Sequence, residues 1–296
     1  MKKINITFVA LISLSFVACN KDEDIIIDNP GDKPGGNGVT LDYKVIEYTP
    51  APGQYINETA SIPSPEEACV FAEERLSASQ YVSLGAWGGY IVVKFNESIL
   101  NTGDYDFAIS GNAFDTSNEP GIVWVMQDSN GNGLPDETWY ELKGSFFGQE
   151  GYERNYWVTY HRPKAKENTP WEDSNGETGF VYWKESYHSQ DYYYPTWIEE
   201  DTYTLYGSRL PSRAEQDDVT NMWQNKPYEW GYADNFGSDF VQATHQNRFR
   251  ISDAVTETNQ PANIQFIDFI KVQTSINGSA DILGENSTEV AGFARI

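Results

Sequence analysis

The chain is short of cysteine, histidine and positive charge. It holds two cysteines and three histidines in 296 residues. So few cysteines cannot staple a secreted domain, and the fold has to hold by packing. His161, His188 and His245 form no HExxH and no pair at ligand spacing, so zinc finds no site in the pattern. Neither a GxSxG elbow nor a phosphate-binding GxxxxGK[ST] loop occurs. Twenty lysines and arginines face 44 aspartates and glutamates, a formal charge of −24. That charge disfavours nucleic acid and anionic membrane as partners. After residue 18 no apolar run is long enough to cross a bilayer.

What the chain does have is aromatic mass and acid. Aromatics make up 15% and hydrophobic residues 39%, enough for a packed core. Met1 to Ala18 reads as a signal peptide: Lys2 and Lys3, then the apolar run Ile6–Val17. Phe16-Val17-Ala18-Cys19 resembles a bacterial lipobox, which implies cleavage before Cys19 and lipidation of its sulfur. Residues 19–38 then form a tether, Pro- and Gly-rich over Asn29–Gly38. Within it, Lys21-Asp22-Glu23-Asp24 resembles the surface-export signal of Bacteroidota lipoproteins. Cys69 is expected to be a buried thiol.

Residues 39–296 are predicted to form a single domain. Ser64-Pro65-Glu66-Glu67 is a helix start, with Ser as N-cap, Pro at the first position and Glu three residues after the cap. Ala68, Cys69, Ala72 and Leu76 share its inner face. From Tyr81 onward short strands alternate with Gly, Asn and Asp turns. Among them are Tyr90–Phe95, Tyr105–Ser110, Ile122–Met126 and Phe266–Thr274. The fold class is all-β: an antiparallel, jelly-roll-like sandwich with one short N-terminal helix and long loops. The insertions at 161–178 and 207–245 are long enough to carry function.

Between two of those strands lies QDSNGNGLPDETWYEL, residues 127–142. Asp128, Asn130, Asn132 and Asp136 place side-chain oxygens at alternate positions, and the glycines between them permit a tight curl. Calcium takes six to eight oxygens at about 2.3–2.6 Å from such a loop. The carbonyl of Leu134 fills the seventh position. The twelfth, where a bidentate Glu belongs, is Trp139; Glu137 or Glu141 stands in for it. A polar loop with two Asn-Gly turns and no ion is the competing reading. A second set of acids, Asp104, Asp106, Asp115, Glu119, Asp234, Asp239 and Asp253, reads as turn residues, with another cation loop at Asp234-Asn235 and Asp239 as the alternative.

Two aromatic clusters offer a ligand face. Tyr182, Trp183, Tyr193 and Trp197 belong to the first; Trp223 and Trp230 belong to the second. Successive residues of a strand face opposite ways, so some members are expected at the surface, where flat rings suit a sugar or a corrin. Packing beneath the long loops is the alternative for each ring.

EYTPAPGQYINE (47–58), SLGAWGGYIVVKF (83–95), YDFAISGNAF (105–114), EPGIVWVMQDSNGNGLPDETWYELKG (119–144) and IDFIKVQTS (267–275) together resemble a family of Bacteroidota cell-surface lipoproteins. The resemblance runs across nearly all of the mature chain. It implies a β-sandwich held on the outer face of the outer membrane by its lipid alone. It also implies a TonB-dependent receptor as neighbour, in some cases one for cobalamin. The expected function is non-catalytic capture of a glycan or corrinoid, with a structural calcium. A surface glycan hydrolase or lyase, and an adhesive or structural surface protein, are the competing classes.

Overall fold

Hydrophobic alternation builds the centre of the molecule. In the computed structural model, which describes residues 41–58, 62–280 and 284–296, the fold is all-β, sandwich-like and antiparallel, with one α-helix. The signal peptide, Cys19 and the tether lie outside the described residues. The main sheet has six strands, in the order Tyr43–Thr49, Tyr90–Leu100, Phe266–Thr274, Gly121–Met126, Tyr140–Leu142 and Ala254–Val255. Ile91, Val93, Val123, Val125 and Val272 fall on one face of it, in one core with Phe107, Ile109, Phe249 and Phe293. Those four come from a second sheet, Phe240–Val241, Gln246–Phe249, Phe107–Ser110 and Gly292–Arg295. Each buried aliphatic side chain there contributes about 1.5–3 kcal/mol.

The helix Pro65–Ser77 packs on the same core through Ala68, Cys69, Ala72 and Leu76. Its cap is the one expected: Ser64 Oγ accepts from Glu67 N at 3.2 Å. Such a cap is worth about 1 kcal/mol. Cys69 is buried and disulfide-bonded, which corrects the expectation of a thiol.

The other face of the main sheet meets a third sheet, ordered Thr202–Arg209, Glu153–His161, Thr169–Asp173 and Thr178–Val181. Gln273 ties the two layers, donating to Tyr206 O at 3.0 Å and to Gly88 O at 2.8 Å. Rings fill this interface: Trp87 and Tyr156 pack edge to face at 4.7 Å. Both long insertions carry structure. The first contains the strand Thr169–Asp173, and the second a ribbon of Ala214–Gln216 with Trp223–Asn225.

Candidate functional site

The loop after Gly121–Met126 curls as its sequence suggests. Asp128 Oδ1 and Oδ2 accept from Gly131 N at 2.7 Å and Gly133 N at 2.8 Å. Asn130 and Asn132 each accept from the N–H two residues on, Leu134 donating the second of these bonds. Their amides donate to Asp136, and this holds its carboxyl below the usual range, Asn132 most of all. Glu137 joins the ring by accepting from Asn130 N at 3.0 Å, and its Oε2 is buried without a partner. Glu141 does not join it. That side chain is buried and accepts from Tyr152 and Ser208. Trp139 lies over Lys271, 5.4 Å from ring centroid to Nζ.

The aromatic residues disperse. Tyr193 is 2% exposed and Trp197 6%, so both are core residues, which corrects their place on a ligand face. Trp183 is half-buried, packs on the core of the third sheet and donates to Gln190 O. Tyr182 is half-buried beside Phe180. Trp230 is half-buried and lines a cavity of about 170 Å³ with Tyr105, Arg248 and Arg250. Trp223 alone of the six is exposed, at 52%.

Trp223 stands on the wall of a larger cavity, about 490 Å³. Phe114, Met222 and Ile276 complete its apolar side, and Glu119, Glu285 and Asn286 give it an acidic floor. Phe114 is 55% exposed and Met222 65%, a contiguous apolar rim on a strongly acidic protein.

Behind Glu119 lies a feature that the sequence does not announce. One carboxylate oxygen each from Glu119, Asp234 and Glu289 lies within 4.8 Å of those from the other two. Glu119 precedes the strand Gly121–Met126, Asp234 sits in the second long insertion, and Glu289 is near the C-terminus. Asp234 organises them. Its two oxygens accept from Asn112 N at 2.9 Å and Glu289 N at 3.0 Å, while its carbonyl accepts from Glu119 N at 3.2 Å. Asp234 takes a left-handed backbone, φ 52°, which is costly for a residue with a Cβ. Gly111 makes room for it: a Cβ there would stand 2.7 Å from Asp234 Oδ1. Ser287 braces the other two acids, donating from N to Glu119 Oε1 and from Oγ to Glu289 Oε1, both at 3.0 Å.

Asp234 and Glu289 are buried; Glu119 is enclosed at its carboxyl and keeps an edge on the cavity. Burial pushes the Glu119 carboxyl up to about 7. Burial, then the charge of Glu119, pushes Asp234 and Glu289 well above the carboxylate range. Among the described residues, the charged groups acting on the three are carboxylates. Such a cluster accepts hydrogen bonds from hydroxyls, shares protons, or takes a cation.

Comparison with protein-family models gives no match to this chain, and comparison with curated proteins gives none either.

Proposed function

We propose that the chain is a surface-displayed binding protein that captures a hydroxyl-rich ring, a glycan, in the Phe114–Trp223 cavity. The observation that carries this reading is the exposed Trp223 and Phe114 standing over the acceptors of Glu119 and Glu285. A flat ring stacks on the aromatics, and its hydroxyls donate to the carboxylates. A volume of about 490 Å³ lies toward the small end for ligand sites. It suits one or two sugar rings better than a whole corrinoid. The resemblance to Bacteroidota lipoproteins supports the rest of the proposal: an anchor at Cys19, display outside the outer membrane, and handover to a TonB-dependent receptor. Intact-mass analysis of the membrane-bound protein tests the anchor, and a mature chain without a lipid adduct removes it.

Calcium in the Asp128 loop is part of the same proposal. Asp128, Asn130, Asn132, Asp136 and Glu137 already converge, and the unpartnered Glu137 Oε2 supports the reading. The ion would brace the loop and take no part in ligand capture.

The ligand test is a glycan array followed by calorimetry on the best binder. Trp223→Ala should weaken binding by about thirtyfold, the loss of a ~2 kcal/mol aromatic anchor. Unchanged affinity would remove the cavity as the site. Hydrolysis is the second reading, favoured by a Glu119 carboxyl raised to about 7 within reach of two other acids. Turnover of the bound glycan that Glu119→Gln abolishes would establish it.

A further inference from the structure

The chain has twenty basic residues against 44 acids, and three of the twenty meet in one cavity. Lys143, Arg248 and Arg250 line the space of about 170 Å³ that Tyr105 and Trp230 also line. It is separate from the Phe114–Trp223 cavity, with which it shares no lining residue. The strand Gln246–Phe249 brings the arginines there. Phe249 belongs to the core, and Arg250 continues the strand in extended backbone, φ −108° and ψ 127°. Alternation therefore turns Arg248 and Arg250 to the side away from Phe249. Both come to rest against one ring. Arg248 Cζ lies 4.3 Å and Arg250 Cζ 4.1 Å from the Tyr105 centroid. Such a contact holds a guanidinium without using its N–H groups.

Two acids, Asp239 and Asp253, line the same cavity, and burial pushes both up from the usual carboxylate range. Asp239 is already answered by neutral donors. Its Oδ2 accepts from Gly231 N at 2.7 Å and its Oδ1 from Asn247 Nδ2 at 3.2 Å. Asp253 feels the charges of Lys143 and Arg250, and Arg250 has Asp104 at 4.0 Å as well. Arg248 is left over. Its charge reaches Asp239, but among the described residues its guanidinium makes no hydrogen bond and no salt bridge, and its Nε is buried without a partner. A buried donor without an acceptor is costly, the more so when it is charged. Two like charges held against one ring also repel each other. An anion in the cavity relieves both costs. The lining favours one, since its three bases exceed its two acids on a chain whose formal charge is −24.

We propose that this cavity binds one oxyanion, a carboxylate or a sulfate, borne on a single sugar ring, with Arg248 as its partner and Trp230 beside the ring. Arginine suits an oxyanion because its planar fork meets two oxygens at once. Trp230 is half-buried and gives the lining the flat apolar surface that a sugar ring packs on. The volume sets the size. At ~30 Å³ for each water in the liquid, it equals about five or six waters, the bulk of one small ring and not of a chain. The overall charge works in the same direction. A long polyanion meets the repulsion of the whole molecule, whereas a single anion is governed by charges within about 8 Å at physiological salt. No residue of the Trp223 cavity takes part, so this site stands or falls separately from capture there.

The full-length protein is purified in detergent, in a chloride buffer free of sulfate, phosphate and carboxylates. Glucuronate, sulfated glucose, glucose and sodium sulfate are each titrated in by calorimetry. Glucuronate or sulfated glucose should bind at least about tenfold more tightly than glucose, and the tighter of the two fixes the anion. Arg248→Gln should weaken that ligand by roughly 10- to 100-fold, the worth of a hydrogen bond to a charged group. Arg248→Lys keeps the charge without the fork and should fall between the two. Added sodium chloride should weaken binding to the wild type, and Arg248→Gln should flatten that dependence, which a merely structural loss would leave in place. Arg250→Gln, a side chain 35–40% open to solvent in its class of half-buried residues, tests the same charge should Arg248→Gln fail to fold, and it should weaken binding in the same direction. Glucuronate and sulfated glucose that bind no better than glucose would overturn the proposal. So would equal affinities in the wild type, Arg248→Gln and Arg250→Gln. Sodium sulfate that binds as tightly as sulfated glucose would remove the sugar ring from it.

Discussion

Two oxygen-rich regions of this molecule differ in how they come about. The Asp128–Glu137 loop is contiguous and largely exposed, and most of its side-chain oxygens are already engaged by the loop's own N–H groups. Glu119, Asp234 and Glu289 come from three distant segments, and burial raises the proton affinity of all three. The first is a pattern that a reader of sequence can see. The second is assembled by the fold and carries the greater electrostatic demand. A local motif advertises geometry, whereas burial raises the proton affinity of acids that only the fold brings together.

The largest effect expected from breaking this comparison concerns a residue that the sequence placed with the ligand. Trp197→Ala should cost about 3–5 kcal/mol, as for a large ring removed from a core. Trp223→Ala should stay within about 0.5 kcal/mol, as surface substitutions do. Denaturant unfolding of both variants checks the pair, and equal costs would mean that Trp223 is packed rather than displayed. Next in size is Asp234→Ala measured in calcium. It strands the buried N–H groups of Asn112 and Glu289, at roughly 1–3 kcal/mol each. Asp128→Ala exposes its two donors to water and should cost less. A reversed order would make the loop the structural keystone.

A smaller effect reads the loop itself. Ions bound only by the folded state stabilise it by RT ln(1 + [L]/Kd). With a Kd of roughly 10⁻⁴–10⁻³ M, ~10 mM calcium adds ~1.4–2.7 kcal/mol from that site. Asp128→Ala should remove this share of the melting shift. A shift identical to that of the wild type would empty the loop of its ion.

A further effect, read in pH, tests the contrast with a region where the fold supplies its own cation. Burial lowers Lys271 to about 8 from an ordinary 10.5, despite Glu47 and Glu141 beside it. The folded state therefore releases this proton at lower pH than the unfolded state does. Between about 8 and 10.5 the unfolded chain binds more protons, so this group makes stability rise with pH through that window. Below about 8 its penalty is fully present. Chemical denaturation at several pH values should show Lys271→Met without that component of the slope. An unaltered slope would show that Lys271 titrates normally.

Much of the framework was legible because local signals agreed. Ser64 through Leu76 carried cap, proline and buried stripe together, and each is found. Phe266–Thr274 is the strand that its β-branched alternation predicts. Thr169–Asp173 escaped notice because Pro170 argues against a strand, and Ala214–Gln216 because it is wholly exposed. Tyr193 and Trp197 were misplaced for a specific reason. Alternation assigns faces only within a regular strand, and residues 182–197 run through turns and bends instead. Asp234 takes the left-handed conformation that suits a turn, with φ 52°, and neither the turn reading nor the cation-loop alternative with Asp239 brought it together with Glu119 and Glu289. Glu289 gave no local signal at all. Its role follows from pairing with Ser83 and from the bond to Asp234, contacts that exist only once the chain has folded.

The most direct measurement is calorimetric titration of the best-binding glycan into the wild type and Trp223→Ala. Affinity should be about thirtyfold weaker in the variant. Equal affinities would contradict a ligand site over Trp223 and Phe114.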